Sequence, residues 1–154
     1  IHIVEAIGGI LGSGVENVKF VGKSENNGKI CETYFADFKG KGGNITITYN
    51  IMTDTWQPCV ITIMTTKKTF NFTVDTGKIY ETLLNKIVNF MSGKDKLAPM
   101  NELTESIKIM LAGKLSKKKN GALIKLKDIP ENYGGYDGSA FENFYSKIAA
   151  KIYN

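Results

Sequence analysis

Arginine is missing from this chain: all twenty basic residues among its 154 are lysine. The net charge of +5 therefore comes without the planar fork that reads guanine edges and clamps phosphate in two bonds. The lysines are scattered over expected strands, turns and helix ends. Their one dense run, Lys117-Lys118-Lys119, falls where a helix stops and cations suit its dipole. A nucleic-acid partner thus ranks last among the readings, and the Lys-, Asn- and Ile-rich composition fits an AT-rich coding sequence. A second histidine is missing too, so His2 has no imidazole partner for a zinc site, and no Cys-x-x-Cys pair replaces it. Cys31 and Cys59 stand far apart within expected strands, as buried thiols of a reducing compartment would, not as a disulfide framework. No apolar run approaches the ~20 residues of a membrane span, which argues against a membrane partner. No charged-then-apolar segment opens the chain, so the sequons Asn44-Ile-Thr46 and Asn71-Phe-Thr73 carry little weight and a cytoplasmic location is the default.

What the chain does have is clear periodicity. Ile3, Ile7, Ile10 and Leu11 share one face of a helix over 2–11 that Gly12 ends. No N-cap precedes His2, and the chain is expected to be cut from something longer. Residues 15–24 and 29–38 read as strands joined by the hairpin signal Asn26-Asn27-Gly28. Over 44–51, Ile45, Ile47, Tyr49 and Ile51 alternate with Thr46, Thr48 and Asn50. Residues 59–66 and 68–74 repeat that pattern, with Phe70, Phe72 and Val74 opposing Thr69, Asn71 and Thr73. Strict period two predicts one apolar and one Thr-rich sheet face, and short connections predict antiparallel pairing.

Two further helices are expected over 77–92 and 101–116. Ile79, Leu83, Ile87, Phe90 and Met91 form the first stripe, which Gly93 stops; Leu103, Ile107, Met110, Leu111 and Leu115 form the second. Their stripes are the natural cover for the apolar sheet face. A strand over 122–128 follows the turn Asn120-Gly121. A last helix opens at Ser139-Ala-Phe-Glu142, with capping-box spacing, and carries Phe141, Phe144, Ile148 and Ile152. The expected fold is α+β: an open, mostly antiparallel sheet with helices packed on one face, in a single domain over 1–154.

Catalytic signatures are sparse. No nucleophile elbow occurs, and Gly40-Lys-Gly-Gly43 lies between strands without the helix that a phosphate loop needs. His2, with Glu5 one turn on, reads either as a surface histidine beside a carboxylate or as a proton-transfer residue. Trp56, before Gln57-Pro58, is a sheet-edge cap or a stacking contact. Tyr133, Tyr136 and Asp137, in the Gly-rich tail, are candidate substrate contacts by loop position alone.

Several segments together resemble one family. These are Tyr80-Glu-Thr-Leu-Leu-Asn-Lys-Ile-Val-Asn-Phe-Met-Ser-Gly93-Lys, Pro99-Met-Asn-Glu102, Glu105-Ser-Ile-Lys-Ile-Met-Leu-Ala-Gly113-Lys with Ser116, and Gly121-Ala-Leu-Ile-Lys-Leu126. They resemble the ending of the Gfo/Idh/MocA oxidoreductases, which include glucose–fructose oxidoreductase and inositol dehydrogenase. The opening Ile1-His2-Ile-Val-Glu5, with Ile7, Leu11 and Gly12, resembles that family's G-x-H-x-x-D helix. The resemblance spans about residues 1–128 and leaves the tail from Glu131 outside it.

That resemblance implies a C-terminal substrate and oligomerisation domain. Its N-terminal Rossmann partner, which would bind NAD or NADP and supply a Glu-Lys-Pro lysine, is absent from this chain. It implies hydride transfer at a carbinol carbon of a sugar or cyclitol. His2 would assist proton transfer at the reacting hydroxyl, and its aspartate partner would lie four residues earlier. The Thr-rich face, with Ile61, Ile63 and Met64 nearby, resembles the surface through which family members form oligomers. No glycine fingerprint stands here, so cofactor-binding and metal-binding residues are expected in neither strand nor loop, and the isolated chain is expected to be inactive. The competing reading is a non-catalytic binding or oligomerisation domain of the same fold.

Overall fold

The computed structural model describes residues 2–40, 43–53, 56–133 and 138–153, the last five as backbone. In chain order it runs α1 (His2–Leu11), β1 (Val15–Asn26), β2 (Lys29–Gly40), β3 (Gly43–Thr53), β4 (Val60–Met64), β5 (Thr69–Thr73), α2 (Ile79–Met91), α3 (Met100–Lys118), β6 (Ile124–Lys125), a 3-10 turn (Leu126–Asp128) and α4 (Ser139–Tyr153). Four strands form one antiparallel sheet in the order β3-β2-β1-β6, and β4-β5 is a separate hairpin. The architecture is α+β with an open antiparallel sheet.

The β1–β2 hairpin closes on Asn26 opposite Lys29, with Asn27 at φ 51° and Gly28 at φ 75°. Two consecutive left-handed residues make the turn whose twist matches the strands it joins, which is why Asn-Gly stands there. On β3 the expected alternation holds. Ile45, Ile47, Tyr49 and Ile51 sit opposite Phe38, Ala36, Tyr34 and Glu32 on the inner face. Thr46, Thr48 and Asn50 are exposed on the other, where the Thr33 hydroxyl donates to Asn50 Oδ1 at 2.8 Å.

The core lies between this inner face and two helices. Val18 of β1, Ala36 and Phe38 of β2, Ile109 and Ala112 of α3, and Val4 of α1 are all buried in it. Each such apolar side chain contributes about 1.5–3 kcal/mol when fully removed from water. Two polar ties fix the helices in place. Glu105 of α3 accepts the Gly14 N–H at 2.8 Å and the Val15 N–H at 3.1 Å, which pins the α1–β1 turn. Gly14 has φ 150°, and a Cβ there would lie 2.7 Å from the Lys39 carbonyl oxygen, so only glycine fits. Ser116, fully buried, accepts the Phe20 N–H at 2.8 Å and donates to the Ala122 carbonyl at 2.6 Å.

Several expectations are corrected. The strands β4 and β5 do not extend the main sheet but pair only with each other. The α2 stripe does not cover the sheet: Ile79, Leu83, Ile87, Phe90 and Met91 are all exposed. Amphipathic spacing marks an apolar face without saying which surface meets it. On α3 the buried residues are Ile109, Ala112, Gly113 and Ser116; of the expected stripe Met110, Leu111 and Leu115 pack half-buried against the core, while Leu103 and Ile107 are exposed. The small residues win because the Tyr34 ring already fills the space between helix and sheet: a Cβ on Gly113 would stand 3.1 Å from it. On α1, Val4 is buried, the expected Ile3, Ile7 and Leu11 pack half-buried against the core, and Ile10 is exposed.

The expected strand over 122–128 shrinks to the Ile124–Lys125 pair with β1, because the chain then coils into the 3-10 turn and buries Leu126 and Ile129. Phe141, Phe144 and Ile148 of α4 are exposed as well, with Phe141 stacked on Tyr145. Cys31 and Cys59 are free and half-buried. Among the described residues no helix is long and apolar enough to cross a membrane.

Candidate functional site

The polar chemistry of the molecule gathers where β2 and β3 emerge from beneath α3. Period two puts Glu32 on the same face as Tyr34, Ala36 and Phe38, so a carboxylate joins an otherwise apolar row. Register places Tyr49 beside Tyr34 and Ile51 beside Glu32. From above, the last turns of α3 bring Met110, Gly113, Lys114 and Lys117, and α1 brings Val4. Together these residues line an open pocket of about 260 Å³.

Its groups are ordered by hydrogen bonds. The Tyr34 hydroxyl donates to Glu32 Oε2 at 2.6 Å, and the Lys117 ammonium donates to Glu32 Oε1. Lys117 first, and Tyr34 second, hold the Glu32 carboxyl below the usual carboxylate range. Burial pushes the Tyr34 phenol upward, and its bond to Glu32 adds to the shift. Burial alone raises Tyr49. The two rings stack with centroids 5.3 Å apart and planes 11° apart, while Phe20 meets Tyr34 edge-on at 5.4 Å. Gly113 is what lets α3 approach this pair: beyond Tyr34, its virtual Cβ lies 3.7 Å from the Tyr49 hydroxyl. A second pocket, beside Glu105, measures about 10 Å³, roughly one water molecule.

The residues expected from the sequence lie elsewhere. His2 projects from the first turn of α1, its side chain 89% exposed and its Nδ1 3.6 Å from Glu5 Oε2. Trp56 is 81% exposed in the link between β3 and β4. Tyr133 follows the 3-10 turn and is partly exposed. None of the three lines the pocket. Tyr136 and Asp137 lie outside the described residues. Among the described residues no cluster of His, Cys, Asp and Glu could hold a metal ion.

The sequence did carry one signal for the Glu32 cluster. An acidic residue at an inward position of a strand otherwise lined by Tyr, Ala and Phe needs a partner. Lys117 belongs to the Lys117–Lys119 run that suits a helix end, which hides its partnership with Glu32. Comparison with protein-family models, with curated proteins and with solved structures finds no match to this chain.

Proposed function

We propose that this chain is the substrate-side, oligomer-forming domain of an NAD(P)-dependent oxidoreductase of the Gfo/Idh/MocA type. Its substrate in that reading is the carbinol hydroxyl of a sugar or cyclitol. The observation that carries the reading is the placement of His2. It is an accessible imidazole with a carboxylate neighbour, on the opening turn of a helix whose Val4 anchors it in the core of an open antiparallel sheet. The resemblance of residues 1–128 to the family ending agrees with that architecture.

His2 then exchanges a proton with the reacting hydroxyl, a task suited to an imidazole, whose two ring nitrogens can donate and accept. Trp56 and Tyr133 serve as substrate contacts from exposed loops, with Tyr136 and Asp137 assigned to the same role. The dinucleotide does not belong on this chain. Every described strand pair is antiparallel, and in this reading the parallel switch point that seats the dinucleotide belongs to a separate domain. A Rossmann domain carries it, in a cytoplasmic oligomer joined through the Thr-rich sheet face.

The test is hydride transfer by the full-length gene product on a panel of sugars and cyclitols. His2→Asn is expected to lower kcat by about 10²–10⁴-fold, and Trp56→Ala to raise KM. An enzyme indifferent to His2→Asn, or inactive on the whole panel, would overturn the assignment and favour the non-catalytic binding domain.

A further inference from the structure

We infer that β3 is a dimerisation edge: two copies of this chain pair their β3 strands antiparallel about Thr48 and join their sheets into one. In the four-stranded sheet β3 is the last strand on one side, and no described strand pairs with its outer edge. The opposite edge, β6, is only two residues long. β3 is eleven residues long and follows β2 residue for residue from Gly43 to Thr53, whereas β1 twice breaks its register with β2.

Strands left at an edge are ordinarily kept from pairing by charge, proline or a bulge. β3 has none of the three. From Gly43 to Thr53 it holds no charged residue and no proline, although the interior strand β2 carries Lys29, Glu32, Asp37 and Lys39. Charge sits in the middle of the sheet and is missing from its free margin, the reverse of what a solitary sheet requires.

The side chains of β3 name its occupant. Ile45 and Ile51 belong to the inner face, yet they stay 38% and 37% exposed. They stand at equal distance on either side of Thr48. Opposite residues of an antiparallel pair share a face, so a two-fold axis at Thr48 sets Ile45 of one copy beside Ile51 of the other, twice over. In the same register Ile47 meets Tyr49, and Thr46 meets Asn50. The outer face already makes such a Thr–Asn pair, between Thr33 and Asn50 at 2.8 Å. A slip of one residue would turn the apolar face of one copy to the Thr-rich side of the other. A strand complementary to itself calls for a second copy. The exposed area has room for one. The chain exposes 12053 Å², where a folded monomer of 17.0 kDa exposes roughly 7,700 Å². A stable pair buries roughly 800 Å² per partner.

This edge contact does not rest on the oxidoreductase reading, and it is distinct from a contact through the Thr-rich face. Two copies joined at β3 present those faces as one surface. Hydride transfer by a monomer, or a β3 dimer without it, would separate the two readings.

Sedimentation equilibrium of the chain at high micromolar concentration should give twice the 17.0 kDa of a single copy. Hydrogen exchange tells the edge from any other surface, because alternate β3 amides point away from β2 and gain a partner only there. In the dimer all amides from Asn44 to Thr53 should be protected, and the outward half should exchange about tenfold faster on dilution to monomer. Thr48 is exposed and lies opposite itself across the axis. Thr48→Lys and Thr48→Glu each bring like charges together and should dimerise about fivefold more weakly, with far-UV circular dichroism unchanged. An equimolar mixture of the two should pair about tenfold more tightly than either alone. A monomer at these concentrations would overturn the inference; if its β3 amides were all protected, the β4–β5 hairpin of the same chain would hold the edge instead. A dimer whose outward β3 amides exchange freely, or a mixture that gains nothing over its components, would overturn it too.

Discussion

Ser116 joins three elements through one oxygen: its own helix, the Phe20 N–H of β1 and the Ala122 carbonyl ahead of β6. Ser116→Ala is expected to destabilise the protein by about 1–3 kcal/mol, because a buried donor and acceptor lose their partner together. Chemical denaturation checks this; a loss below about 0.5 kcal/mol, the ordinary size of a neutral substitution, would contradict it. Tyr34 and Tyr49 make a second residue-scale case. Their phenols are raised in the folded state, so their contribution is present at neutral pH and is lost as pH rises through alkaline values. In a phenolate absorbance titration, these two of the seven tyrosines should ionise only as the protein unfolds. Glu32 has the opposite sign. Its carboxyl is lowered on folding by Lys117 and Tyr34, so its contribution is present above the ordinary carboxylate range and is lost as pH falls through the lowered value. Glu32→Gln should therefore flatten the acid limb of stability against pH; an unchanged limb would contradict the pairing. These groups stayed hidden in the sequence because Glu32 and Lys117 stand 85 residues apart, and only strand register and helix docking bring them together.

Among the elements, legibility followed how fully local chemistry decides the outcome. The β1–β2 hairpin was readable because Asn27 and Gly28 take left-handed backbone without tertiary help. The alternation of β3 was readable because period two has two faces and one of them must be covered. Docking was not readable. The stripes of α2 and α4 are as regular as any in the chain, yet Leu83, Phe90 and Phe144 are exposed. On α3 the face that docks includes Ala112, Gly113 and Ser116, which hydrophobic spacing passes over, beside Ile109 and the expected Met110, Leu111 and Leu115. The hairpin β4–β5 likewise presents Phe70 and Phe72 to solvent. Elements that bury little have little to lose on opening locally. Amide hydrogens of α2 and β4–β5 should exchange at least ~10²-fold faster than those of β1, β2 and α3. Equal protection throughout would show that these elements share the stability of the core.

For the whole molecule, the α+β architecture was legible and its division was not. Strands expected in one sheet split into a four-stranded sheet and a detached hairpin. The Thr-rich outer face and the exposed stripes of α2 and α4 are the surfaces that the proposed Rossmann partner and oligomer would use. The whole account rests on His2 belonging to a dehydrogenase active site completed by a second domain. The most direct test is the reading frame immediately upstream of the Ile1 codon. The account predicts a strand–GxGxxG–helix segment, a Glu-Lys-Pro motif and an aspartate four residues before His2. A stop codon or an unrelated coding sequence in that place would contradict it.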